Sequence, residues 1–247
     1  MNQLNSDIAV VLVEPQSPGN IGMVCRAMKN MGLCRLRIVK GCDHLHPEAL
    51  KFAVSAKDLL EEAQIFASLA EALADTAISV GTTRRTGKYR QELLTPPQVA
   101  DVVQQHKGGL AALVFGREDS GLTTEELSLC SLQGTIPSSD SCGSLNLAQA
   151  VLVFCYELFK NQSNSNDADL ARSLAKSAEL EPLFAHMQET LSKIGFLNPQ
   201  NPSHIMRSLR RIFFRSGLDN REVSVLRGIL SQVDWAASGF DGRKKTP

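Results

Sequence analysis

Residues 110–121 read LAALVFGREDSG, and the reading of that stretch decides the fold. Leu110 to Phe115 is an unbroken apolar run halted by Gly116, the pattern of a strand buried on both faces and ended by a glycine turn. Arg117, Glu118, Asp119, Ser120 and Gly121 follow directly. A buried strand that empties into a charged loop is where open α/β sheets place their ligands. Downstream, Thr123 with Glu126 three residues later predicts a capping box and a short helix. A strand is expected over 132–136, ending at Pro137, and the small-residue loop 138–144 then opens a helix over 145–159. That helix is apolar almost all round and is predicted to be buried.

The same unit recurs upstream. IAVVLV at 8–13 reads as a first strand, EPQSPG at 14–19 as a loop of turn formers, and Asn20 as the cap of a helix over 21–31 closed by Gly32. A second strand is predicted over 35–39 and partial helix over 47–62; Ser68 with Glu71 boxes the start of a helix to about Asp75. A third strand over 76–80 runs into the basic glycine loop 81–90, GTTRRTGKYR, and Pro96-Pro97 starts a helix to about Gln105. Strands alternating with helices predict an α/β domain over 1–160, its mostly parallel sheet covered on both faces.

The composition then changes. NQSNSND at 161–167 contains no apolar residue and marks a flexible linker over 161–169. From 170 to 247 the pattern is helical only: 181–194 with Pro182 in its first turn, 202–215 started by Pro202, and a last helix capped by Asp219 and Glu222 through about Trp235. This all-α extension is thin, and is expected to pack on the main domain or on a second copy of the chain.

Of 247 residues, 43% are hydrophobic, enough for a real core. The formal net charge of +0 hides an asymmetry: 201–247 holds nine Lys/Arg against four Asp/Glu, so 1–200 holds 17 against 22. A basic C-terminal segment points to a polyanion partner. Six cysteines without a CxxC pair read as reduced thiols of a cytosolic protein, and His44-Leu45-His46 beside Cys42 as surface loop, so no metal is expected. No apolar stretch reaches membrane-spanning length and the N-terminus lacks a signal pattern; a soluble, cytoplasmic protein without membrane contact is expected. The dinucleotide fingerprint GxGxxG and the phosphate loop GxxxxGK[ST] are both missing. Ser120 lacks the GxSxG elbow and a histidine partner, and reads as a turn residue.

Three motifs in register remain. Asn20-Ile21-Gly22-Met23-Val24-Cys25-Arg26 after Val-Glu-Pro-Gln, Leu-Val-Phe-Gly-Arg-Glu-Asp-Ser-Gly-Leu at 113–122, and Ile136-Pro137 followed by Ser144-Leu145-Asn146-Leu147-Ala148-Gln149-Ala150 resemble the TrmH-like branch of the SPOUT methyltransferases. The likeness is greatest to its bacterial tRNA ribose methyltransferases of anticodon-loop position thirty-two, whose helical extension Leu209-Arg210-Arg211 and Leu226-Arg227-Gly228-Ile229-Leu230 also resemble.

That resemblance implies an α/β fold with a C-terminal trefoil knot, a homodimer, S-adenosylmethionine as cofactor and tRNA as partner. Carried over position by position, it implies a cofactor pocket of Gly81, Thr82, Thr83, Gly116, Ile136, Gly143, Ser144 and Leu145. It implies catalytic roles for Arg26, Asn20, Ser144 and Glu118. A guanidinium essentially never loses its proton in a protein. Arg26 is therefore expected to stabilise developing alkoxide, with Glu118 orienting it and Asn20 and Ser144 placing the hydroxyl. Arg84, Arg85, Lys88, Arg90, Arg207, Arg210 and Arg211 are the expected RNA contacts. Two alternatives stay open at this point: a ribosomal-RNA 2′-O-methyltransferase of the same superfamily, and an RNA-binding protein without turnover.

Overall fold

Six apolar segments pair into one sheet. In the computed structural model, which describes residues 7–84, 93–105, 109–139, 143–162 and 174–238, these are β1 (Ile8–Val13), β2 (Arg35–Val39), β3 (Gln64–Phe66), β4 (Thr76–Thr82), β5 (Leu110–Phe115) and β6 (Leu132–Gly134). Their order is β3-β2-β1-β5-β4-β6 and every pairing is parallel. All six residues of β1 are buried, as are five of six in β5. Both faces are covered, which is why these strands read as continuous apolar runs rather than alternating ones.

The pleat divides the core. Ile8, Val10 and Leu12 pack with Val24 and Met28 of α1 (Pro18–Asn30), with α2 (Pro47–Ala53) and α3 (Lys57–Glu61), and with α5 (Pro96–Gln105) and α7 (Leu147–Gln162). Val11, Val13, Ala112 and Val114 face the other way, onto α4 (Leu69–Leu73) and the flank of α6 (Thr124–Leu129). From β1 the chain moves outward to β2 and β3, then returns to the far side of β1, so strand order reverses between β1 and β5. Because all strands are parallel, the loops after β1, β4, β5 and β6 emerge along one edge. A crevice at such a switch point is the usual ligand site of an open α/β sheet.

Several boundaries differ from expectation. The cap of α1 is Ser17, whose Oγ accepts from the Asn20 N–H at 3.4 Å; Pro18 takes the first helical position, so Asn20 lies inside the first turn. The helix predicted over 145–159 starts at Leu147, because the Asn146 side chain accepts from the Ala148 N–H at 2.9 Å and acts as its cap. The strand predicted over 132–136 stops at Gly134, where its partner strand also ends, Thr82 opposite Gly134. Strand β3 was not foreseen: three residues, with Ile65 exposed, are too short to show a period. Helix α7 is buried on one side only. Val151, Phe154, Cys155 and Leu158 are inside, while Leu152, Tyr156 and Phe159 form an exposed stripe.

The chain divides into two units, Met1–Arg172 and Ser173–Pro247. Helix α7 continues through Gln162, two residues into the expected linker, and residues 163–173 lie outside the described ones. The second unit is α8 (Ser177–Lys193), α9 (Pro202–Ser216) and α10 (Asn220–Ala236), built round Leu183, Phe184, Met187, Met206 and Val223. Helix α8 begins four residues before the predicted 181, at a Lys176–Glu179 capping arrangement, and Pro182 is inside it. The Asp219–Glu222 capping box opens α10 as expected, and Gly217 closes α9 in the left-handed conformation.

Candidate active site

The loop 14–17 that follows β1 is pinned from both neighbouring strands. On the β2 side, the Glu14 N–H donates to Val39 O at 2.8 Å and the Cys42 N–H to Pro15 O at 2.9 Å. On the β5 side, the Glu118 carboxylate accepts from the N–H groups of Gln16 at 2.9 Å and Ser17 at 3.2 Å, and from Asn20 Nδ2 at 2.9 Å. These donors lie at the start of α1, where backbone N–H groups are unpaired and negative charge is favoured.

Asn20 in turn accepts at Oδ1 from Asn146 Nδ2, 2.9 Å away, and Asn146 Oδ1 caps α7. The network fixes both amides: a carboxylate only accepts and a backbone N–H only donates, so one orientation satisfies the whole chain of bonds. Glu118, Asn20 and Asn146 thereby join the loops after β1, β5 and β6 into one rigid edge. Asn146 lies in the third motif, and its structural task went unpredicted. An Asn before an apolar run is a helix-capping signal; its reach across 126 positions to Asn20 leaves no trace in sequence spacing.

Beside this edge lies a cleft of about 360 Å³, within the usual range for small-molecule sites. Thr82, Thr83, Gly116, Ile136, Gly143, Ser144 and Leu145, seven of the eight expected cofactor residues, line it. Gly81 does not: it is buried, and a Cβ there would meet Cys130 Sγ at 2.9 Å, so its smallness serves the packing of α6 against β4. Gly116 is required by a close backbone approach. A Cβ on it would lie 2.2 Å from the carbonyl carbon of Gly121, because residues 117–121 fold back over the strand end. Phe115, Phe154 and Leu147 supply apolar floor, and Arg117, Glu118 and Asp119 the polar rim.

Arg117 is held from two sides: Glu126 takes both terminal nitrogens at 3.0 Å and Glu14 lies 2.9 Å from Nε and Nη2. These carboxylates, Glu126 first, push the guanidinium still further towards the charged form. Burial alone would raise the Glu126 pKa; the bonds from Arg117 and the Thr123 N–H outweigh it and hold that carboxyl below its ordinary range.

Arg26 and Ser144 are exposed. Glu118, expected to orient Arg26, makes no hydrogen bond or ion pair with it; its oxygens serve the loop 16–20 instead. Arg84 lies at the cleft with its guanidinium against Gly143. Arg85, Lys88 and Arg90 lie outside the described residues. On α9, Arg211 is exposed and Arg207 half-buried, but Arg210 is engaged within its unit: it bonds both oxygens of Glu181, at 2.5 and 2.7 Å, and covers the Phe184 ring at 4.5 Å. Ser120 donates to Asp119 and His46 caps α2, both structural tasks.

Comparison with known proteins places this geometry. The SpoU rRNA Methylase family matches residues 7–156, the whole sheet and its cleft. The chain belongs to that methylase family. Within it, the chain falls in the TrmJ branch: residues 178–242 match the tRNA methyltransferase TrmJ C-terminal domain. It is 40% identical to the tRNA (cytidine/uridine/adenosine-2′-O-)-methyltransferase TrmJ of Pseudomonas aeruginosa, covering 96% of this chain and 97% of that one. Identity to the tRNA (cytidine/uridine-2′-O-)-methyltransferase TrmJ of Salmonella typhimurium is 36%, over 94% and 98%. The crystal structure of TrmJ from Z. mobilis superposes with a TM-score of 0.79 at 34% identity, covering 92% of this chain and 98% of that one.

Proposed function

We propose that this chain is a tRNA 2′-O-ribose methyltransferase that uses S-adenosylmethionine and acts on the pyrimidine at anticodon-loop position thirty-two. The observation that carries the reading is the Glu118–Asn20–Asn146 relay at the rim of the cleft, with Ser144 beside it. The cleft fits the cofactor: Gly116 and Gly143 line it without side chains, and Ile136, Leu145 and Phe115 offer apolar contact to a nucleobase. Bound there, S-adenosylmethionine supplies a methyl group on a sulfonium, already a good leaving group.

The residues of the chain then have to place a ribose 2′-hydroxyl in line and stabilise charge as its proton leaves. Ser144 orients the hydroxyl and Arg26 offers fixed positive charge to the developing alkoxide. Asn20 and Glu118 hold the start of α1, which carries Arg26, and Asn20 ties it through Asn146 to the segment that carries Ser144. The exposed stripe Leu152, Tyr156 and Phe159 on α7 supports the homodimer of the family likeness, and the family knot belongs to the same reading. Arg84, Arg207 and Arg211 are the phosphate contacts we assign among the described residues.

The test is transfer of labelled methyl to unmodified tRNA and, in parallel, to ribosomal RNA, followed by nuclease digestion. Label in a 2′-O-methylated pyrimidine of the anticodon loop is the expected result. Label in ribosomal RNA alone overturns the substrate, and label in neither overturns the enzymatic reading. Adenosine at the same position is a third outcome to score, since the P. aeruginosa relative carries that nucleoside in its name.

A further inference from the structure

We propose that Glu14, gripped by Arg117, is a latch that positions the reactive edge of the cleft. The inference rests on the functional reading above. Glu14 has φ +47°, in the left-handed region that glycine favours, although it carries a full side chain. A non-glycine residue persists there only where its surroundings over-determine it, and such positions cluster at functional sites. Here the surroundings are visible. The Glu14 N–H is tied to the end of β2 and its carboxylate to Arg117 on the loop after β5.

The next residue of that loop, Glu118, takes the N–H groups of Gln16 and Ser17 and the amide of Asn20. Two consecutive residues therefore grip the β1–α1 loop at its two ends, Arg117 at Glu14 and Glu118 at 16–20. Arg117 is itself anchored behind by Glu126 and by Gly121 O at 3.3 Å, with its side chain 17% exposed. The grip at Glu14 fixes where the loop leaves β1, and hence where Asn20 meets Glu118 and Asn146. Glu14 is not itself in the cleft lining; its partner Arg117 is, but Arg117 stays held by Glu126 when Glu14 is removed, so the effect of Glu14 on reaction passes through the loop.

The test uses the full-length protein with Glu14→Ala and Glu14→Gln. Glu14 is 40% exposed at its side chain, so neither change opens a core. In Glu14→Ala, amide exchange at Gln16 and Ser17 should quicken while that of β1 and β5 stays as in the wild type. Single-turnover methyl transfer at saturating tRNA should fall on the order of tenfold to a hundredfold, the scale of an ångström of misplacement, with cofactor affinity within about twofold. Glu14→Gln keeps an acceptor for Arg117 and should retain turnover within about threefold of wild type. Unchanged exchange at Gln16 and Ser17, or unchanged turnover in Glu14→Ala beside an active wild type, overturns the latch. A wild type that transfers no methyl to any RNA overturns the functional reading and this inference with it, so the two failures are told apart.

Discussion

Asn20→Asp puts the relay under a defined electrostatic load. The substitution exchanges Nδ2 for an oxygen 2.9 Å from Glu118 Oε1, converting a donated hydrogen bond into two carboxylates face to face. Two unit charges about 3 Å apart at an effective dielectric of about 20 repel by about 5 kcal/mol. The protein escapes part of that by taking up a proton, which also restores the hydrogen bond. For a carboxyl of ordinary pKa near 4, proton uptake costs about 4–5 kcal/mol at pH 7.5 and about 1 kcal/mol at pH 5. The cost of the substitution is therefore capped by protonation and falls with pH.

The sign follows from linkage. The pair's pKa is raised in the folded state, so its destabilisation is present above that raised value and fades as pH drops towards the unfolded value near 4. At about 2–4 °C per kcal/mol for a unit of this size, the Tm deficit against wild type should be about 10–15 °C at pH 7.5 and a few degrees at pH 5. Circular-dichroism melts of both proteins across that range measure it. A deficit that does not change with pH, or a variant within about 2 °C of wild type at pH 7.5, refutes the relay as described.

Gly116→Ala sets a Cβ 2.2 Å from a backbone carbon that no rotamer can avoid, so residues 117–121 must move; calorimetry should show cofactor binding weakened at least about tenfold, with about 1–3 kcal/mol of stability lost. Glu126→Gln removes a carboxyl whose folded pKa is depressed. Its stabilisation is present above the unfolded pKa and lost as pH falls through the folded one, so urea midpoints of variant and wild type should differ at pH 7 and converge in acid. Burial pushes the thiols of Cys25, Cys130 and Cys155 up to about 12, whereas Cys34 is exposed. At pH 8 a maleimide should label Cys34 at once and those three only after denaturant is added.

The fold was legible where burial writes an unbroken signature. β5 and α5 fall at their predicted limits because a doubly covered strand and a Pro-started helix have sharp ends in sequence. Helix starts were less legible wherever two polar residues compete for the cap. Ser17 and Asn20 both qualify, and tertiary partners decide: Glu118 claims the Asn20 amide and leaves the cap to Ser17. The same competition moves the start of α7, predicted at 145 after the small-residue loop 138–144, to Leu147, because Asn146 caps it. The one-sided burial of α7 was not legible at all, since an apolar residue facing solvent and one facing the core look alike in a string. For the site, local sequence showed only that glycine loops follow the strand ends; the family resemblance implied the individual cofactor residues, of which seven line the cleft and Gly81, buried against Cys130, does not. The partners of Glu118 and Arg210 could not be named, because a carboxylate or guanidinium is drawn by whichever charge the fold brings near.

The relay also assigns the division of labour at the rim. Glu118, Asn20 and Asn146 spend their hydrogen-bonding groups on one another and on the backbone, even though Asn146 is exposed; Ser144 and Arg26 are exposed and take no part in that network. On the proposed reading, the first set holds geometry and the second meets the RNA. The two sets then respond differently to truncation. Asn146→Ala strips the cap from α7 and leaves Asn20 Oδ1 unmet, a loss of about 2–3 kcal/mol from a cap plus one hydrogen bond. Arg26→Ala and Ser144→Ala remove exposed groups and should stay within about 0.5 kcal/mol of wild type. Methyl transfer should fall in all three. Equal stability loss across the three variants, or a fully active Ser144→Ala, contradicts that division, because a group whose only work is on substrate leaves the fold untouched when it is removed.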